Sequence, residues 1–103
     1  MSVEQDDWGW LQQWQRAVFE SQDLSATAKL VMYGLAVHAD VDHGNCCSPS
    51  QEWLAKGSKK SVKTIQRAIK EGKKAGFIEV HQRQMGKIRL SNFYQLTLPD
   101  STS

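Results

Sequence analysis

Long apolar runs, spaced cysteines and signal segments are all missing from this sequence. No apolar run approaches the roughly 20 residues that span a bilayer, and the acidic N-terminus has no apolar signal segment. We therefore expect a cytoplasmic protein with no membrane partner. The two cysteines, Cys46 and Cys47, are adjacent, and neighbouring cysteines rarely form a disulfide. They are predicted to be free thiols in a reducing compartment.

Catalytic and cofactor-binding patterns are also absent. The sequence has no paired carboxylates on one predicted element, no phosphate-binding glycine loop, and no nucleophile beside a base. Asp40 and Asp42 alternate as in a calcium loop, but the later ligands of such a loop are missing. His38 and His43 lie near the two cysteines without the spacing of a zinc module. We predict a protein that is not an enzyme and needs no metal or cofactor.

Positive charge is scarce in the first half of the chain and abundant in the second. Residues 1–55 contain two basic and eight acidic side chains, whereas residues 56–89 contain eleven basic and two acidic ones. The whole chain nevertheless has a net charge of only +2. This asymmetry is typical of a surface that binds a polyanion, although a solvated lysine-rich surface would have the same composition.

Apolar periodicity predicts two helices before residue 40. The first covers about residues 7–22 and contains Trp8, Trp10 and Trp14. These tryptophans are interpreted as packing against the domain, with a homodimer surface as the alternative. The second helix begins after the N-cap Ser25, ends near residue 39, and contributes a broad apolar stripe to the core.

Two further helices are predicted between residues 48 and 76. The third has Ser48 as its N-cap, Pro49 at its first position and Gln51 completing a capping box, and ends at Gly57. The fourth covers residues 61–75, with Ser61 as its cap and Gly76 as its terminator.

The chain then changes to a period of two. Residues 77–83 predict one strand, residues 84–87 a turn, and residues 88–90 and 92–98 the returning strand. Cys46 and Cys47 are predicted to form a short strand paired with this hairpin. Two helices joined by a short turn and followed by a hairpin predict a winged helix-turn-helix, an α+β and mostly helical fold with an extra N-terminal helix.

The fourth helix separates apolar from cationic side chains. At 100° per residue, Ile65 and Ile69 face one way and Lys63 and Arg67 the other. Cationic and amide side chains contact phosphates and base edges in the major groove. We therefore predict that the protein binds double-stranded DNA through residues 61–75.

Position assigns a role to each predicted DNA contact. The first turns of a recognition helix reach base edges, which selects Lys63, Thr64, Gln66 and Arg67. Lys70 and Lys74 continue the same cationic face. Phosphate contacts are predicted at the helix N-termini, from Lys59, Lys60, Ser61, Ser48, Ser50 and Gln51. Cations on the hairpin suit the adjacent minor groove or its phosphates, and these are Arg83, Lys87 and Arg89.

Five segments resemble the helix-turn-helix domain of phage and plasmid replication proteins. They are LSATAK at 24–29, CSPSQ at 47–51 before Leu54 and Ala55, TIQRAIK at 64–70, AGFI at 75–78, and SNFYQL at 91–96. The resemblance implies a winged-helix module that recognises a replication origin in a bacterial host, associated with the nucleoid or a plasmid and with other replication proteins. Similar modules act as transcriptional repressors, and a protein-interaction role for the basic face stays open.

Gly72 departs from the family pattern, which has leucine there. We expect that a tryptophan from the first helix fills the space, or that the fourth helix ends early. The predicted organisation is a tryptophan-rich helix in residues 1–23, the DNA-binding domain in residues 24–99 and a disordered tail in residues 100–103.

Overall fold

Four helices and a small antiparallel sheet make up the part of the chain that the structure describes. The computed structural model covers residues 7–40, 42 and 44–99, except for the side chains of residues 7, 8, 83, 84 and 89–91. In chain order the elements are α1 (Asp7–Glu20), α2 (Ala26–Val37), β1 (Cys46–Cys47), α3 (Gln51–Ser58), α4 (Val62–Ala75), β2 (Ile78–Met85) and β3 (Ile88–Leu96). This is the predicted winged helix-turn-helix with an additional N-terminal helix. The predicted tail, residues 100–103, lies outside the described residues.

Serine hydroxyls cap α2 and α4 as predicted. Ser25 Oγ accepts a hydrogen bond from the Ala28 N–H at 3.1 Å, and Ser61 Oγ accepts one from the Thr64 N–H, also at 3.1 Å. These bonds satisfy backbone donors that have no partner within the helix. α4 ends at Gly76, whose φ of 89° lies in the left-handed region that glycine adopts readily.

The third helix begins and ends later than predicted. Ser50, not Ser48, is the N-cap, because its Oγ accepts from the Trp53 N–H at 2.9 Å. The pairing of β1 with β3 keeps the preceding chain extended, and Pro49 is buried before the helix begins. Gly57 is helical rather than a terminator. The left-handed residue is Lys59, with a φ of 59°.

Trp14 connects α1 to the rest of the molecule. It is fully buried, and its Nε1 donates to the carbonyl oxygens of Phe77 at 3.0 Å and Thr97 at 2.7 Å. Because it is inside the core, Trp14 is unavailable to the dimer surface considered as an alternative. Trp10 is half-buried against the same core, and the Trp8 side chain lies outside the described part of the structure.

The space beside Gly72 is filled by Met32. A Cβ on Gly72 would lie 2.7 Å from both Sδ and Cε of Met32 and 3.5 Å from Ile78 Cγ1. The expectation of a tryptophan is therefore wrong, because α2 rather than α1 packs along α4 here. The alternative of an early helix end is also wrong, since α4 continues to Ala75.

The sheet has the order β1-β3-β2. Cys46 pairs with Gln95 and Cys47 with Tyr94, as predicted for a short strand on the hairpin. Cys47 is buried in the core. Burial, together with the neighbouring Cys46, raises the pKa of its thiol to about 12.

The hairpin differs from the prediction at its turn, at residue 91 and at its ends. β2 reaches Met85, which pairs with Ile88, so the turn contains only Gly86 and Lys87. β3 is continuous through residue 91, where the sequence predicted a break, and it ends at Leu96. A register shift between His81 and Arg83 separates the inner half of the hairpin, beside the core, from the outer half. We call this outer half, residues 83–90, the wing.

Candidate nucleic-acid interface

α4 presents a buried apolar side and an exposed polar side. Ile65, Ala68, Ile69 and Gly72 are buried. The exposed residues of α4 are Lys63, Gln66, Arg67, Lys70, Lys73 and Lys74. The amphipathic pattern predicted from the sequence is thus present, and the cationic side chains project away from the core. Lys73 was missed as a candidate contact, although it contributes to the same surface.

The acidic residue of α4 points away from these cations. Glu71 Oε1 accepts from the Ser25 N–H at 2.9 Å, and its Oε2 accepts from the Ser25 hydroxyl at 3.0 Å. The ion pairs among the described residues are Arg16–Glu20 and His81–Glu79, so within this part of the chain no carboxylate neutralises the cations of α4. A polyanion that approaches α4 would therefore meet uncompensated positive charge.

The N-terminal end of α4 is exposed and rich in donors. Lys59, Lys60 and Ser61 are exposed, and Thr64 is half-buried. Ser61 Oγ lies 3.0 Å from Thr64 Oγ1, in addition to accepting the N–H of the same residue. Both hydroxyls therefore have partners within the chain. The backbone N–H groups and two lysines at this end can still receive a phosphate.

The predicted contacts before α3 have different surroundings. Ser48 and Ser50 are exposed, but Ser50 is the cap of α3. Gln51 is half-buried, and its Oε1 accepts from Nε2 of Gln66 at 3.0 Å. Burial raises the pKa of Tyr94, which lies in the same region, and the Gln51 side chain partly opposes the rise.

The wing carries an apolar pair beside its cation. Lys87 is exposed at the turn, whereas the side chains of Arg83 and Arg89 lie outside the described part of the structure. Met85 and Ile88 are paired across the turn and are 67% and 63% exposed. Sequence reasoning assigned both to the hairpin without recognising this exposure, because a period of two does not show where a strand leaves the core.

One groove connects several of the predicted contacts. It has a volume of about 470 Å³ and lies between the exposed side of α4, the start of α3 and the inner half of the hairpin. The contacts that line it are Gln51, Lys63, Gln66, Arg67 and Lys70. Asn92 and Tyr94 of β3 line the same groove but were not predicted as site residues. Only the antiparallel pairing of the sheet brings them beside α4.

Comparison with known proteins identifies the same segment. A family model described as a helix-turn-helix domain matches residues 22–78, which is more than half of the chain. The match begins after α1 and includes α2, α3 and α4. No curated protein and no solved structure matched the chain.

The described residues offer neither a metal site nor a membrane-spanning helix. There, no three histidine, cysteine, aspartate or glutamate side chains are grouped so that they could hold a metal ion. His38 packs its ring edge-to-face against Trp53, with centroids 4.3 Å apart, and His43 lies outside the described residues. None of the described helices is both long and apolar enough to cross a bilayer.

Proposed function

Because the chain belongs to the helix-turn-helix domain family, we propose that it binds double-stranded DNA sequence-specifically, with α4 in the major groove. The observation that supports this most strongly is the exposed cationic side of α4, from which Glu71 is directed away by its hydrogen bonds to Ser25. A merely solvated helix would gain nothing from this separation of charge. A helix that faces phosphates and base edges would bind them more tightly because of this separation.

The remaining elements suit contacts on either side of the major groove. Lys59, Lys60 and the N-terminal amides of α4 are placed for one phosphate backbone. Lys87 and the apolar pair at the wing are suited to the adjacent minor groove, where apolar side chains can accompany cations. Base edges would be contacted by Lys63, Thr64, Gln66 and Arg67, which lie in the first half of α4.

The test is duplex binding measured by fluorescence anisotropy, with a site selected from random sequences. The logarithm of affinity should fall linearly with the logarithm of salt concentration, with a slope of about −0.9 for each phosphate contacted. Arg67→Ala should cost about 1–3 kcal/mol and relax preference at one position, whereas Lys87→Ala should weaken all sequences alike. Arg16→Ala is the matched control, because Arg16 is an exposed arginine on α1 paired with Glu20.

The proposal fails if binding is independent of salt, or if Arg16→Ala weakens it as much as Arg67→Ala does. Binding to an acidic protein with no measurable affinity for duplexes would favour the protein-interaction alternative instead.

For the biological role, we propose recognition of a phage or plasmid replication origin. The support is the resemblance of the segments at 24–29, 47–51, 64–70, 75–78 and 91–96 to replication proteins. A single domain contacts few bases, so repeated sites or dimers are expected. Selected sites arranged as direct repeats would agree with an origin. A palindromic site would instead indicate a symmetric dimer and favour a transcriptional regulator.

A further inference from the structure

Two glutamines from neighbouring helices are hydrogen-bonded to each other in the groove. Gln66 of α4 donates through Nε2 to Gln51 Oε1 of α3, at 3.0 Å. Both residues line the groove beside the cations of α4, as does Tyr94 of β3. The amide of Gln66 is therefore connected to the start of α3.

Gln51 is the more buried member of this pair. Its side chain is half-buried, and Tyr94, which lines the same groove, is only 3% exposed and lies on a strand paired on both sides, by β1 and β2. A hydrogen bond to a half-buried partner restricts an exposed amide, so the bond from Nε2 to Gln51 Oε1 limits how the Gln66 amide can turn.

The atoms left over on Gln66 match one base. Gln66 is exposed, and among the described residues its hydrogen-bond partner is Gln51. One N–H and the carbonyl oxygen of its amide therefore remain. Adenine presents an acceptor, N7, and a donor, N6–H, in the major groove, and glutamine binds these two groups bidentately. Guanine presents two acceptors there, so an amide held in this orientation would leave its oxygen opposed to O6.

We propose that Gln51 is a positioning residue that orients Gln66 to recognise adenine in the major groove. This rests on the proposed binding of duplex DNA. Gln66 would make the contact, and Gln51, which sequence reasoning assigned to a phosphate, would act through Gln66.

The experiment measures base preference rather than affinity alone. Duplexes carrying the selected site are compared with duplexes in which one adenine is replaced by guanine or by 7-deazaadenine, which lacks the N7 acceptor. Wild-type protein should prefer adenine over guanine by roughly ten-fold at one position, and 7-deazaadenine there should weaken binding several-fold. Gln66→Ala should abolish both effects.

The variants of Gln51 separate orientation from packing. Gln51→Met keeps the length of the side chain but removes its hydrogen bonds, so the adenine preference should fall below about two-fold while binding to the guanine duplex stays unchanged. Gln51→Glu keeps an acceptor for Gln66, so the preference should be retained even if its charge lowers affinity for every duplex. Gln13→Met is the matched control on the exposed side of α1.

The outcomes are distinguishable from those of the parent proposal. If wild-type protein binds no duplex, the proposed function fails. If it binds with the expected salt dependence but keeps its adenine preference in Gln51→Met, or in Gln66→Ala, the role given to Gln51 is wrong. Urea unfolding of each variant checks that the fold is intact. Should Gln51→Met unfold, an unchanged preference in Gln51→Ala overturns the inference.

Discussion

Two glycines in helices provide a direct test of how α2 and α4 pack. Glycine in a helix interior costs about 1 kcal/mol relative to alanine. A Cβ on Gly57, the last residue but one of α3, would meet no atom within 4 Å, so Gly57→Ala should raise the free energy of unfolding by up to about 1 kcal/mol. Gly72→Ala gains the same helix propensity, but its Cβ would lie 2.7 Å from Sδ and Cε of Met32. Overpacking of this kind costs about 1–3 kcal/mol.

The net effect of Gly72→Ala should therefore lie between no change and a loss of about 2 kcal/mol. In a Met32→Val background, which removes Sδ and Cε, Gly72→Ala should instead stabilise by about 1 kcal/mol, as at Gly57. Urea unfolding followed by circular dichroism measures all of these variants. For a domain of this size, 1 kcal/mol also corresponds to roughly 4–8 °C in Tm. The reasoning is refuted if Gly72→Ala stabilises the wild-type protein as much as Gly57→Ala does, or if Met32→Val leaves its effect unchanged.

Three further predictions concern other parts of the fold. Lys59→Gly should stabilise the protein by about 1 kcal/mol in thermal unfolding, because Lys59 has a φ of 59° and non-glycine residues are strained there. Lys60→Gly removes the same charge and should show no such gain. An equal gain in both variants would contradict the argument. Trp14→Phe should destabilise by roughly 2–4 kcal/mol in urea, since the Thr97 carbonyl loses its 2.7 Å partner inside the core, and a loss below 1 kcal/mol would show that this bond matters little. Burial raises the pKa of the Cys47 thiol from 9.0 to about 12. The contribution of this thiol to stability is therefore complete below about pH 9 and is lost as the pH rises towards 12. The free energy of unfolding should fall more steeply above pH 9 in wild type than in Cys47→Ala, and parallel curves would contradict this.

Features that depend on neighbouring residues were predictable from the sequence. The limits of α4 follow from Ser61 and Gly76, a hydroxyl cap and a left-handed terminator separated by one amphipathic helix. The two sides of α4 follow equally directly, because side chains three and four residues apart share a face whatever surrounds them. The Ser25 cap of α2 belongs to the same group. The pairing of Cys46–Cys47 with the hairpin was also predicted, although it joins Cys46 to Gln95 and Cys47 to Tyr94.

The third helix shows where such local reasoning fails. Ser48-Pro49-Ser50 offers two serine caps, and Gly57 offers a terminator inside what proves to be helix. The sequence favoured Ser48 as the N-cap of α3 and Gly57 as its terminator. The choice is made by β1, whose pairing with β3 continues to Cys47, by the extended backbone of Ser50, and by the left-handed turn at Lys59 that leads into the cap of α4.

What the sequence alone determined is thus the helix-turn-helix pattern and the cationic side of α4, because both depend on the spacing of residues a few positions apart. Only the tertiary structure decided that Met32 fills the space beside Gly72, that Trp14 is enclosed rather than offered to a partner, and that Gln66 is hydrogen-bonded to Gln51. Each of these depends on side chains at least 15 residues apart. Their distances are set by how helices and strands pack, which no local pattern specifies.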